Sequence, residues 1–527
     1  MKYALNSEQA REIDRTYIEN IGIPSCVLME KAAMGVAYAV QSSFRPGDKI
    51  VAVCGFGNNG GDGIAAARLL YARGYSVSLY LVGDRKKSTK ETKLQLKIAR
   101  KLGIKIIRKC DYSQYNCIID AIFGVGLSKP ITGDLYKEIE KINDSKRPVI
   151  AVDIPSGVCA DDGKILGIAV QANMTITFGN KKIGTILYPG AEYSGNVVTW
   201  DIDTSTSVLD ELPKNFYFDE TPELLLPKRK ADSNKGTYGK VLCIAGSKNM
   251  SGAAFFAASA AYRMGAGLVR ILTSDDNREV LQKQLPEAVL TTYEINENGG
   301  VAEKSIDTAK SAIEWADVVL IGPGIGQSQA SASILNYVIT ECKCPLIIDA
   351  DGINILAKMV SEKTKENDIP EERIKVLSEM LPPGTILTPH KMELSRLTGV
   401  SMAELACGMI SASSEFTKGN ELIFVKKDVR TIVSFGDSNY INVTGNDGMA
   451  TAGSGDVLGG IIAALIGQGE KQRSAAMTGC YIHGLCGNAA AAKKGKRSMI
   501  ASDILEAIPE VIGENNEREI FEGSGKH

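Results

Sequence analysis

GNDGMATAGSGDVLGGIIAALIG, residues 445–467, joins a glycine-rich turn to an unbroken apolar segment. Glycines at 453 and 455 free the backbone to turn its N–H groups towards one point, and VLGGIIAALI reads as a buried helix. Together they predict an anion-binding helix N-terminus aimed at a phosphoryl group. Asp456 falls at the bend, where the helix dipole is expected to favour its ionised form. From there it can accept a proton from a hydroxyl attacking phosphorus, or from the substrate's own hydroxyl. The plainer reading, an aspartate that only caps a glycine-rich helix start, stands beside this one. The chain has no G-x-x-x-x-G-K-[ST], so nothing points to a P-loop.

Outward from that bend, short apolar strands alternate with glycine turns and helix-period segments. Upstream lie GKVLCIAGS, GLVRILT, VVLIGPG, PLIIDADG, TILTPH and ELIFVKK. A second set nearer the start reads KIVAVCG, SVSLYLVG, NCIIDAIFG, VIAVDIPSG and MTITFG. Such alternation predicts α/β architecture, with parallel sheets covered by helices on both faces. At about 100–200 residues per domain, 527 residues suit two large domains. We divide the chain into a first domain at 1–215, a linker at 216–227, a second domain at 228–512 and a charged tail at 513–527. Sixty Lys+Arg against 62 Asp+Glu give no sign of a nucleic-acid partner or an anionic membrane surface. No apolar run is long enough to span a bilayer, and the acidic start does not read as a signal peptide. Eleven cysteines, mostly inside apolar strand-like runs, fit a reducing cytoplasm. Cys342 and Cys344 are the one close pair and lack zinc-knuckle spacing.

In the first domain, Gly55 to Gly60 follows a strand and opens a helix, so it fits G-x-G-x-x-G in context. Its filling is unusual: Asn58, Asn59 and Asp62 sit within GNNGGDG. Amide and carboxylate oxygens there offer hard ligands to a cation or hydrogen bonds to a polar substrate. An Asx-rich turn that merely caps the helix is the alternative. Asp120 is embedded in another apolar strand before the Gly124 to Gly126 turn, and Asp153 and Ser156 close a third strand. A carboxylate in an apolar strand is costly unless paired or ligating, so three such ends predict one site.

GNNGGDG, DAIFGVGL and VDIPSG, in this order, resemble the NAD(P)H-hydrate epimerase domain, and the likeness covers residues 1–215 and includes LMEKAAMGVA, where Ala33 replaces the usual glycine. The resemblance implies a Rossmann-like three-layer domain. It also implies substrate contacts from Asn58, Asn59, Gly60, Gly61, Asp62, Gly124, Val125, Gly126, Leu127, Ser128, Lys129 and Pro130. A potassium ion is implied at Asn59, Asp120 and Ser156, with Asp153 catalytic at the substrate. The G-S-G-D bend resembles the ribokinase-like fold. With KGTYGKVLCIAGSKNMSGAAFFAASAAYRMGAGLV, VLIGPGIG, PLIIDADGIN and ILTPH, it resembles the NAD(P)H-hydrate dehydratase family over most of residues 228–512. That likeness implies hydrated-nucleotide contacts from Ala253, Gly324, His390 and Asp456. It places ADP along Lys427, Asp428, Val429, Arg430, Thr431 and Gly455, with Mg²⁺ at the same site. Lys391 and Met392 replace the Pro-Gly that usually follows the histidine, and Lys427-Asp428 replaces a small-residue turn.

The implied activity is repair of hydrated NADH and NADPH. One domain exchanges the R and S hydrates, and the other dehydrates the S form with ADP, giving AMP and phosphate. The expected setting is a cytoplasmic homo-oligomer acting on small molecules. A small-alcohol kinase with a non-catalytic N-terminal binding module is the rival reading, and it leaves the polar strand ends of the first domain without a task.

Overall fold

The computed structural model describes residues 1–208, 215–218, 226, 229–364, 368–407, 410 and 416–522, without side-chain placement at 406, 407 and 514–522. Contacts divide it into two compact units, meeting in sequence between Phe216 and Tyr217.

The first unit is built on β1 (Lys49–Cys54), β2 (Ser76–Leu81), β3 (Lys105–Ile107), β4 (Cys117–Ala121), β5 (Val149–Val152), β6 (Met174–Phe178) and β7 (Asn196–Trp200). All pair in parallel, in the order β3-β2-β1-β4-β5-β6-β7. Successive residues of a strand face opposite ways, and β1 shows it: Ile50 and Ala52 enter one buried cluster, Val51 and Val53 the other. Helices cover both faces, which makes three layers. The order reverses between β1 and β4, and ligands of such sheets gather outside the carboxyl ends at that reversal. Gly55, just past β1, is needed for the close approach there, since a Cβ would lie 2.2 Å from the carbonyl oxygen of Ile122.

In the second unit β8 (Lys240–Ile244), β9 (Leu268–Ser274), β10 (Val289–Tyr293), β11 (Val318–Ile321), β12 (Leu346–Ile348), β13 (Ile386–Leu387) and β14 (Ile423–Lys426) pair in parallel. An antiparallel hairpin, β15 (Ile432–Phe435) and β16 (Ser438–Ile441), extends the sheet from β14. This order reverses between β8 and β11, where Gly246 N–H donates to Pro323 O at 2.8 Å. The apolar stretch after the glycine bend is a buried helix (Ser454–Gly467), as expected. It lies against the helix Ser251–Arg263 so closely that a Cβ at Gly460 would meet Ala257 O at 2.2 Å.

Two boundaries differ from the sequence reading. Most of the linker expected at 216–227 falls outside the described residues, and Asn215–Tyr217 is a short strand. The charged tail expected from 513 is helical as far as Glu522, within Ala501–Glu522. Glu, Arg and Ile propagate a helix well, so one glycine at 513 does not end it; residues 523–527 lie outside the description. Among the described residues no helix is long and apolar enough to cross a membrane.

Candidate functional sites

The first site forms where β1, β4 and β5 end. The helix Asn58–Ala72 starts directly on the GNNGGDG turn, and Gly60 is held so tightly that a Cβ would lie 2.0 Å from Gly55 O. Asn59 packs against Gly124, whose Cβ would come within 3.1 Å of its Oδ1, and its Nδ2 is buried without a partner. Asp120 is fully buried. Its Oδ1 accepts from Ser156 Oγ at 2.6 Å and its Oδ2 from Ser156 N at 2.8 Å. Ser156 Oγ also takes the Phe123 N–H at 2.9 Å. Burial pushes the Asp120 carboxyl up to about 6 despite these bonds. Thus Asn59, Asp120 and Ser156 gather at neighbouring strand ends, around an acid with no cationic partner among the ion pairs of the described residues.

Beside them a cleft of about 120 Å³ is lined by Asp14, Asn58, Asp62, Val125, Asp153 and Lys182, among others. Asp153 sits past the end of β5 in the left-handed region (φ 65°), uncommon for a non-glycine residue. Its Oδ1 accepts from Lys182 Nζ, from Thr177 Oγ1 at 3.1 Å and from Phe178 N at 3.1 Å, while Oδ2 takes none of these bonds. Lys182, buried, also donates to Phe178 O at 3.1 Å. Burial raises the Asp62 carboxyl well above its usual range, and the charges of Asp153 and Asp14 add to it. Asp14 is raised to about 6 by burial, against the pull of Lys182. The sequence reading missed Lys182 and Asp14. The loop from Gly124 to Pro130 is only partly in the cleft: Val125 lines it, whereas Gly126, Ser128, Lys129 and Pro130 are exposed.

At the second site, Gly453 (φ 89°) caps the helix Ser454–Gly467 and presents Asp456 in its first turn. The dipole expected to favour the ionised form does not act alone on Asp456, whose carboxyl is raised to about 7. Burial is the main cause, repulsion from Asp349 adds to it, and Lys427 only partly offsets both. Lys427, past the end of β14, places Nζ 2.6 Å from Asp349 Oδ1 and 3.3 Å from where a Cβ on Gly455 would be. Burial opposes its charge, but Asp349, Glu393 and Asp456 together hold the ammonium above its usual range. Asp349 ends β12 and accepts from Thr388 Oγ1 at 2.6 Å. It was visible in PLIIDADG yet went unassigned.

The remaining candidates divide. Gly324 meets Ala253, with a Cβ at 324 only 2.8 Å from Ala253 Cβ, and Ala253 lies one helical turn from Phe256, which touches Gly453. His390 acts first as an N-cap: Nδ1 accepts from Met392 N and Glu393 N at 3.1 and 3.2 Å. The two departures from the family pattern meet each other, for Lys391 Nζ pairs with Asp428 Oδ2 at 2.8 Å. Val429 is exposed, Arg430 donates to Val443 O at 2.8 Å, and Thr431 O accepts from Asn442 N at 2.8 Å. In the 427–431 segment, Lys427 is the residue seen paired with Asp349 and set beside Gly455.

Comparison with known proteins follows the same division. The family profile described as NAD(P)H-hydrate dehydratase matches residues 241–510, and the one described as YjeF-related protein N-terminus matches residues 25–184. The bifunctional NAD(P)H-hydrate repair enzyme Nnr of Thermofilum pendens is 34% identical over 97% of this chain and 96% of its own length. Its namesake from Moorella thermoacetica is 32% identical over 98% of each. A solved Bacillus subtilis ADP/ATP-dependent NAD(P)H-hydrate dehydratase, co-crystallised with ATP and Mg²⁺, is 28% identical, covering 55% of this chain and 94% of that one with a TM-score of 0.45.

Proposed function

The chain belongs to the bifunctional NAD(P)H-hydrate repair enzymes, and from that premise we propose which residues carry its epimerase and dehydratase activities. In the first site the hydrate's ring carbon beside nitrogen loses and regains its hydroxyl through a cation stabilised by the ring nitrogen. The Asp153 oxygen left outside the Lys182 bonds stabilises that cation, and Lys182 fixes the carboxylate's position. Asn58, Asp62 and Val125 line the substrate's place, with Asp14 as a further acid. Asp120, Ser156 and Asn59 suit a large monovalent cation. The acid is buried without an ion-pair partner among the described residues, and the Asn59 amide, unbonded at nitrogen, can turn its oxygen inward. Potassium bound there would supply the counter-charge to the buried Asp120 carboxylate.

For dehydration, Asp456 takes the proton of the ring hydroxyl as its oxygen bonds to the terminal phosphorus of ADP. The bridging P–O bond breaks and AMP leaves. Loss of phosphate then gives the ring cation, and loss of the neighbouring proton restores the reduced nicotinamide. Lys427 and the N–H groups at Gly453 to Asp456 meet the phosphates. Among the described residues no cluster of three His, Cys, Asp or Glu gathers around a metal. Mg²⁺ commonly enters a site with substrate phosphates and few protein ligands, and would come to this one with ADP. Bound so, it would neutralise charge on the transferring group. The observation that carries this reading is the placement of Asp456 in the first turn of the helix Ser454–Gly467, with Lys427 paired to Asp349 beside Gly455; burial raises the Asp456 carboxyl to about 7, and a base poised near the working pH transfers protons best. Incubation with hydrated NADH and ADP tests it: the reduced-nicotinamide absorbance returns with wild-type protein and fails to return with Asp456→Asn.

A further inference from the structure

Neither activity uses Cys342 or Cys344. The helix Gln329–Glu341 ends at Cys342, whose backbone turns extended (φ −70°, ψ 126°), and the chain then enters β12. In extended backbone, residues two apart point the same way. Here that puts Cys342 Sγ 3.4 Å from Cys344 Sγ, against about 2.05 Å in a formed disulfide. Both thiols are half-buried against the apolar core of the second unit, with Lys343 exposed between them. By contrast Cys54, Cys117, Cys243, Cys480 and Cys486 are buried, and burial pushes each thiol up. At this pair the two sulfurs share a hydrogen bond that either can donate, and the sharing draws the Cys342 thiol down while it holds the Cys344 thiol up. A proton shared between two sulfurs gives one of them thiolate character, and the thiolate is the attacking form.

We propose that Cys342-Lys343-Cys344 is a self-resolving dithiol, a modification site that takes low-molecular-weight disulfides and closes to an intramolecular disulfide. Cys342 thiolate attacks one sulfur of the small disulfide, whose S–S bond breaks and expels a thiolate that picks up a proton. Cys344, losing its proton, then attacks the Cys342 sulfur and expels the second small thiol. Two protein thiols are oxidised by two electrons, and one small disulfide is reduced to two thiols. Its place at the amino end of β12 is opposite the carboxyl end that carries Asp349, so closure leaves dehydratase turnover within about twofold.

The test treats the whole protein with oxidised glutathione, then digests it under non-reducing conditions. Cleavage after Lys343 separates the two cysteines, so closure is read as two peptides joined by a reducible bond. The expected result is that linked pair in the wild type, and a persistent glutathione adduct on Cys342 in Cys344→Ser. An unmodified pair in the wild type, or a lasting adduct on wild-type Cys342, would overturn the proposal. The wild-type measurement needs no variant to fold.

Discussion

Asp456 shows how one side chain's surroundings overrule its position. A helix N-terminus alone favours a charged carboxylate by up to about 1 kcal/mol at an exposed site. Burial and the nearby Asp349 work the other way and win, raising the group to about 7. As a base it must be deprotonated, so dehydratase kcat/KM should fall as pH drops through about 7 and level off above it. Asp349→Asn removes a repelling charge and releases Lys427 from its pair, both of which lower the Asp456 carboxyl. The acid limb measured on the remaining activity should therefore move to lower pH, and a limb moving upward would contradict this cause. Asp456→Asn should lower turnover by about 10²–10⁴, the span of a positioned acid or base. In the first site, Lys182→Met strands the buried Asp153. Removing one partner of a buried pair costs about 3–5 kcal/mol, which urea unfolding should show, and Lys182→Met with Asp153→Asn should recover part of it.

Among elements, the helix Ser454–Gly467 depends on its cap. Gly453 has φ 89°, and a Cβ there would lie 2.8 Å from the Phe256 ring. Gly453→Ala should cost about 1–3 kcal/mol of backbone strain and weaken nucleotide binding, while epimerisation stays unchanged. Isothermal titration with ADP and an epimer-exchange assay read the two effects separately. This helix was legible in the sequence because an uninterrupted apolar run after a glycine bend has few other folds. The main strands were legible for a similar reason, as apolar runs ending in glycine or aspartate. Lys105–Ile107, Asn196–Trp200, Val289–Tyr293 and the hairpin from Ile432 to Ile441 escaped notice, being short or interrupted by polar residues. Lys182 follows another lysine in GNKKIG, and nothing in the sequence says which one is buried. Asp14 lies among the acids of an amphipathic helix, Ser7–Arg15, where tertiary folding alone distinguishes it. Asp349 carried a motif without a role until the structure paired it with Lys427.

At the scale of the molecule, the two sites belong to separate compact units, each at the carboxyl ends of its own parallel strands. Their chemistry is complementary, because a dehydratase selective for one hydrate leaves the other unless an epimerase feeds it. Single substitutions in one unit should thus leave the other activity intact.

The direct measurement is recovery of reduced-nicotinamide absorbance from an equal mixture of R and S hydrates of NADH, with ADP and Mg²⁺, over a time short against spontaneous epimer exchange. The wild type should restore nearly all of the signal, Asp153→Asn about the S half, and Asp456→Asn almost none. Full recovery with Asp153→Asn, or recovery by Asp456→Asn at the wild-type rate, would contradict the assignment of one acid to each activity.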